Sequence, residues 1–419
     1  MPRNQREEVN FRFTENNVEY SFSDVFVPSD IFVEGDLWVW GSRASGALGN
    51  NEASATGQKS IPITLPLVAG KLGVSQWSTV FAGSSSSAAI KTDGSLWLWG
   101  ENATRQLGNF GGTSRSTPIT TFLGGNDWSS ISIGRNHTAA IKTDGSLWLW
   151  GSSSYGQLGN FVSGATASRS TPITTFLGGN NWTSVSCGAF HTAAVKSDGS
   201  LWCWGRNNNG ELGNQKTGTI SSSTWIRSTP ITTFSTGLTW ASVACGYQHT
   251  VAIKTDGSLW AWGYAASGNL GNANVLQSRS TPITTFSTGL TWASVTCGSN
   301  HTVALKTDGT LWTWGSNSDG QLGVNNSATR QTPVTTLIGG TNWKTLGRLN
   351  CESTSSIAIK TDGTLWTWGA CGNGQLGINA TPIGRSTPVT TIIGGYFWKS
   401  ASIGQQHGLG IQVATNDFI

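Results

Sequence analysis

Along most of the chain, apolar and polar positions alternate in runs of five or six residues rather than with a helical period. LWLWG at Leu96–Gly100, HTAAIK at His137–Lys142, PITTF at 172–176 and NWTSVSCG at 181–188 are examples. Each run is rich in β-branched or aromatic residues and is bounded by Gly, Pro or Asp-Gly, which predicts short strands. The recurring Lys-Thr-Asp-Gly-Ser string predicts a hairpin, because Asp-Gly supplies the positive φ that a tight turn needs.

These runs repeat. DGSLWLWG or a close variant ends at Gly41, Gly100, Gly151, Gly205, Gly263, Gly315 and Gly369, a period of roughly 55 residues, as expected of a repeat array. Each copy carries two Trp in LWxWG and a third before the next strand, which uses every Trp but Trp225. Four strands per period, seven times, predict an all-β, seven-bladed β-propeller. The small side chains of HTAAI suit the innermost position of a blade, with the Trp strands filling the widening gaps between blades. The chain enters the pattern at LWVWG without a preceding HTAAIK run and leaves it at HGLGIQ without a following LWxWG. Residues 37–41 are therefore expected to pair with 407–412 in a composite blade that closes the ring. This divides the chain into an N-terminal arm, 1–35, and a propeller, 36–419.

DGSLWLWGxxxxGQLG, followed by STP and GxxHTxAIK, resembles the regulator of chromosome condensation repeat family over about residues 36 to 413. The resemblance implies a seven-bladed propeller. It implies no single function, because that fold serves nucleotide exchange on a GTPase, ubiquitin-ligase appendages and photoreceptor signalling.

Composition narrows the rest. Charged residues make up 11% of the chain and Gly 55 of 419 positions, which excludes a coiled coil or a charged helical array. No apolar run approaches a membrane span, and MPRNQREEVNFRF carries no apolar segment behind its charges, so neither membrane insertion nor export is expected. Three of the six Cys (Cys187, Cys245, Cys297) precede the Gly of GxxHT, where other copies carry Ala82 or Ile133. That interchange predicts reduced core residues rather than bridges. The sequons at Asn136 and Asn300 fall in an expected buried strand, which argues against a secretory compartment.

The residues that carry chemistry elsewhere are here repeat elements. All five His recur in GxxH and are replaced by Ser86 and Ser355 in two copies, which predicts a structural hydrogen bond to the local backbone rather than catalysis. No metal-ligand spacing is present, and GQLGN lacks the Lys-Ser or Lys-Thr of a phosphate loop. No catalytic residue, cofactor or metal is therefore expected. The Asp of each hairpin is expected to form the turn, with its Lys neighbour solvated. One cation stands three residues before each repeat Pro, including Arg115, Arg169, Arg227 and Arg279. Such a ring suits an acidic partner, or each Arg bonds carbonyls of the next blade. Loop lengths vary chiefly between GxLG and that cation, and the longest loop contains Trp225, a candidate contact anchor.

The arm carries three Arg against seven acidic residues, a net −4, and leaves +8 on the remainder of a chain of net +4. VNFRF and VEYSFSDVFV alternate at period two, which makes Phe11, Phe13, Tyr20, Phe22 and Phe26 one apolar face suited to strand addition. The reading is a non-enzymatic scaffold with protein partners in a larger assembly, anchored by its arm. The preferred version is a structural component of a bacteriophage virion, a tail or capsid appendage, and the alternative compartment is the cytoplasm. The competing function is guanine-nucleotide exchange or another protein-binding role, for which residues 214–226 and 347–355 are the candidate wedges. Nucleic-acid and small-molecule binding are not expected, since net charge is low and the Trp belong to the core.

Overall fold

The computed structural model describes residues 36–52, 57–64, 77–164, 166–215, 226–233, 239–275, 277–285, 291–379, 384–392, 394–395 and 397–413, together with the backbone of 12–15 and 18–21. Seven antiparallel sheets form the blades of a propeller. In blade 1 the order from the axis outward is Trp77–Ala82, Ser86–Lys91, Leu96–Gly100 and Arg115–Thr120. Blades 2 to 6 repeat this order with inner strands beginning at Trp128, Trp182, Trp240, Trp292 and Trp343. Blade 7 is composite. Trp398–Ile403 and His407–Gln412 come from the end of the chain, and Asp36–Ser42 and Gln58–Thr64 from its beginning. Leu37 is the register partner of Ile411 and Gly41 of His407, so the ring closes as the repeat pattern requires.

The innermost strand is the one that begins with Trp, not HTAAI, which is second from the axis. The small side chains of HTAAI have a different cause. Ala140 packs with Trp128 and Trp150 in the core on one side of blade 2, while Ala139 packs with Trp182 and Trp204 in the core on the other. A strand covered by indoles on both faces leaves space only for small residues. Seven such cores lie between successive blades, each built on Trp of the inner and third strands. Full burial of an aromatic side chain stabilises by about 1.5–3 kcal/mol, so these seams dominate the energetics. At the closure the second strand reads HGLGIQ because Cβ atoms on Gly408 and Gly410 would run into Trp40 and Trp398.

The hairpin Lys are not solvated as expected. Lys196 Nζ lies 4.7 Å from the Trp182 ring and 5.3 Å from Trp202, and Lys91, Lys142, Lys254, Lys306 and Lys360 repeat the arrangement. The hairpin Asp do form the turn: Asp198 Oδ1 accepts the Ser200 N–H at 2.9 Å. In the arm, Arg12–Glu15 and Val18–Ser21 pair as an antiparallel hairpin in which Phe13 and Tyr20 are register partners. Phe11, Phe22, Phe26 and Trp225 lie outside the described residues. All six Cys are buried and free.

Candidate functional site

The GxxH histidines link blades. His137 Nε2 lies 2.9 Å from Thr192 Oγ1 in the next blade, His191 2.9 Å from Thr250, His249 3.3 Å from Thr302, His301 2.9 Å from Ser356, and His407 2.7 Å from Ser87. Each hydroxyl donates onward to the carbonyl of the GxLG motif, as Thr192 does to Gln157 O at 2.9 Å, and the buried indole Nε1 of the same blade bonds the same oxygen. The hydroxyl proton is thus committed, so imidazole Nε2–H is the donor. The expectation of a local backbone bond is corrected to an inter-blade side-chain bond. Burial without a counter-charge holds His137, His249 and His301 down to about 3 and His407 to about 4; His191 is held to about 3 chiefly by burial, with Arg206 adding to it. Such groups stay neutral and out of contact with solvent, which fits a structural role.

Arg115, Arg169 and Arg279 begin the outer strands of blades 1, 2 and 4, and Arg227 is second in that of blade 3, each as register partner of the Gly of LWxWG. They stand one per blade around the circumference and do not form a single patch. Arg115 and Arg279 are exposed, and Arg227 Nη1 bonds its own neighbour's carbonyl, Ile226 O, at 3.3 Å.

What the sequence reading missed lies on the face that carries the GxxH loops and the variable loops, close to the axis. There the repeat symmetry breaks. Phe190 sits between Tyr155 (ring centroids 5.1 Å) and Tyr247 (5.7 Å). Arg206 stacks over Phe190 at 4.2 Å, and Arg135 lies 5.6 Å from the same ring and donates to Tyr247 Oη at 2.9 Å. Arg135 Nε pairs with Glu352 at 3.2 Å, and Arg206 Nε with the buried Glu211 at 3.4 Å. Burial raises the Glu211 carboxyl, and Arg206 opposes that shift. The rings and Arg206 are half-buried and Arg135 is exposed, so their outer surfaces are available and already held in place by their neighbours. Blade 5 carries Ser299 and Asn300 at the two GxxH loop positions, and blade 7 carries Gln405 and Gln406. That departure from the repeat was the available signal.

Residues 347–353 do not project as a wedge. Arg348–Leu349 adds to the blade 7 inner strand in parallel register, and Asn350 Nδ2 reaches Ile133 O in blade 2 at 2.9 Å. Ser84 of blade 1 donates to Glu352 at 2.5 Å, and Ser299 N–H of blade 5 to Ser353 O at 2.8 Å. The segment is a strut across this end of the axis. The other proposed wedge, 214–226, lies almost wholly outside the described residues.

Fold and face together define a closed repeat propeller with one asymmetric, aromatic-rich end. Residues 31–280 match the RCC1-like domain model, and 256–305, 308–343 and 292–321 match the regulator of chromosome condensation (RCC1) repeat. The chain belongs to the RCC1-repeat family. It is 30% identical over 312 residues to the ultraviolet-B receptor UVR8 of Arabidopsis thaliana, covering 71% of this chain and 66% of that protein. It is 26% identical to the E3 ubiquitin-protein ligase HERC2 of Homo sapiens over 77% of this chain but 6% of the ligase. Among solved structures, human WBSCR16 superposes with a TM-score of 0.77 at 19% identity, over 90% of this chain and all of that one. Prp20p of Saccharomyces cerevisiae, described with its binding to Gsp1p and histones, superposes with a TM-score of 0.76 at 15% identity over 93% and 94% of the two chains. These structural likenesses establish the fold.

Proposed function

We propose that this propeller is a protein-binding module that engages its partner with the axial end of the GxxH-loop face. The observation that carries this reading is the cluster of Tyr155, Phe190, Tyr247, Arg135 and Arg206. Tyr and Arg dominate energetic hot spots, because they present large rigid surface with polar tips, and here neighbouring rings and acids hold them in place before binding. Relatives that bind proteins, including a ubiquitin ligase and Prp20p, support a role of this class. Nucleotide exchange is the narrower alternative, and the inward turn of 347–353 weighs against it. A bacteriophage appendage anchored by residues 1–35 draws no support from relatives of plant and human origin. Six free buried Cys support a reducing compartment. The test is native purification with mass spectrometry, comparing wild type with Tyr247→Ala/Arg135→Ala. Loss of the stoichiometric partner with the melting temperature retained is expected. Retention of every partner by the folded double variant would remove this face from the proposal.

A further inference from the structure

The inner strands enclose a shaft along the propeller axis, about 730 Å3 in volume. Two positions after each inner-strand Trp stands a hydroxyl, from Thr79 in blade 1 to Ser400 in blade 7. Several of these line the shaft, and the Thr79 hydroxyl is buried with no hydrogen-bond partner among the described residues.

Three cations also line the shaft, and no Asp or Glu does. Lys344 and Lys399 follow the Trp of blades 6 and 7 and are exposed at the hairpin-face end, since Trp343 is the register partner of Lys360 beside the turn. Arg348 lies toward the other end, beneath the strut, beside Ser402. Its guanidinium packs 4.3 Å from the Phe81 ring and is exposed to the solvent of the shaft. Among the described residues no carboxylate pairs with Arg348. Burial lowers its pKa only to about 10, so it remains charged. At the corresponding position other blades carry an uncharged hydroxyl, such as Ser132, Ser186 or Ser402, since Leu349 N–H bonds Thr296 as Cys187 N–H bonds Ser132. A cationic, hydroxyl-lined shaft without a carboxylate concentrates anions.

We propose that the shaft binds a small linear polyanion. One oxyanion group sits on the Arg348 guanidinium beneath the strut, and a second sits between Lys344 and Lys399 at the open end. The four-residue step between Lys344 and Arg348 corresponds to about 13 Å of strand, which requires a ligand with charge at both ends rather than a single phosphate. The hydroxyl wall supplies donors along its length, and the strut stops it from passing through.

The test is calorimetric titration of the full chain at low salt with linear pentaphosphate, whose terminal phosphates are about as far apart as the two sites, and with orthophosphate. Saturable one-to-one binding of pentaphosphate is expected, at least tenfold tighter than orthophosphate. Arg348→Gln and Lys344→Gln/Lys399→Gln should each weaken it at least tenfold, whereas Lys196→Gln/Lys254→Gln on the outer hairpins should not. Without ligand, Arg348→Gln should melt no lower than wild type. If that variant does not fold, the Lys344/Lys399 pair decides the question. Absence of saturable binding, equal affinity for orthophosphate, or unchanged affinity in the folded shaft variants would overturn the proposal.

Discussion

Acidification should unlatch the blades through the five inter-blade histidines. In the unfolded chain each titrates near its ordinary value of 6.5, whereas burial holds four of them to about 3 and His407 to about 4. Between those values the unfolded chain binds more protons than the native one, so stability is lost as pH falls from 6.5 toward 3. At pH 5 each histidine costs about 2 kcal/mol relative to pH 7. The native ring is neutral at pH 5, so the whole of this difference falls on the unfolded chain. Together they withdraw on the order of 10 kcal/mol, comparable with the whole stability of a typical domain. Urea unfolding followed by Trp fluorescence at pH 7.5, 6 and 5 measures this directly. His249→Ser should lose about 1–2 kcal/mol at pH 7.5 and should flatten the pH dependence below 6 by about 1.4 kcal/mol per pH unit. The hairpin Asp are held low by the hydroxyls and amides of residues two further on, so their contribution is lost only at more acidic pH. A urea midpoint that does not move between pH 7.5 and 5, or a His249→Ser chain with the wild-type pH slope, would refute the reasoning.

Deleting residues 405–419 removes the strand that pairs with Asp36–Ser42 and the buried Leu409 and Ile411; loss of more than about 4 kcal/mol is expected, read as a large fall in melting temperature. Gly408→Ala should cost about 1–3 kcal/mol by overpacking against Trp40, measured by urea denaturation. Deleting residues 1–35 should leave the melting temperature of the ring unchanged, since its described pairing begins at Asp36; a large fall would show that the arm belongs to the propeller.

The propeller was legible because its information is periodic: seven registers of LWxWG, Asp-Gly and GxxH leave one architecture, and the missing strands at the two ends specify the closure. What failed was assignment within a blade. HTAAI read as the axial strand because small side chains imply crowding, but the crowding comes from indoles on both faces of Ala139 and Ala140. The hydroxyl two positions after each inner-strand Trp was the better mark of the axis. The histidines were read locally, yet each partner lies 53–59 residues away in blades 2 to 5, one repeat further on. The aromatic and arginine cluster was not read at all, because Tyr155, Phe190 and Tyr247 are single departures in loops that look interchangeable, and only the closed ring brings them together.

The strut at 347–353 changes the statistical mechanics of the ring. Where every blade contacts only its two neighbours, the molecule behaves as a circular nearest-neighbour chain, and one broken seam leaves a linear array that can unravel a unit at a time. Bonds from blade 6 to Ser84, Ile133 and Ser299 tie in blades 1, 2 and 5, two of which do not adjoin it. Opening any seam on those arcs then strains links elsewhere, so partial unfolding loses its entropic advantage. Amides of the inner strands should consequently exchange together, through global rather than sub-global opening, with the blades behaving as one cooperative unit instead of seven.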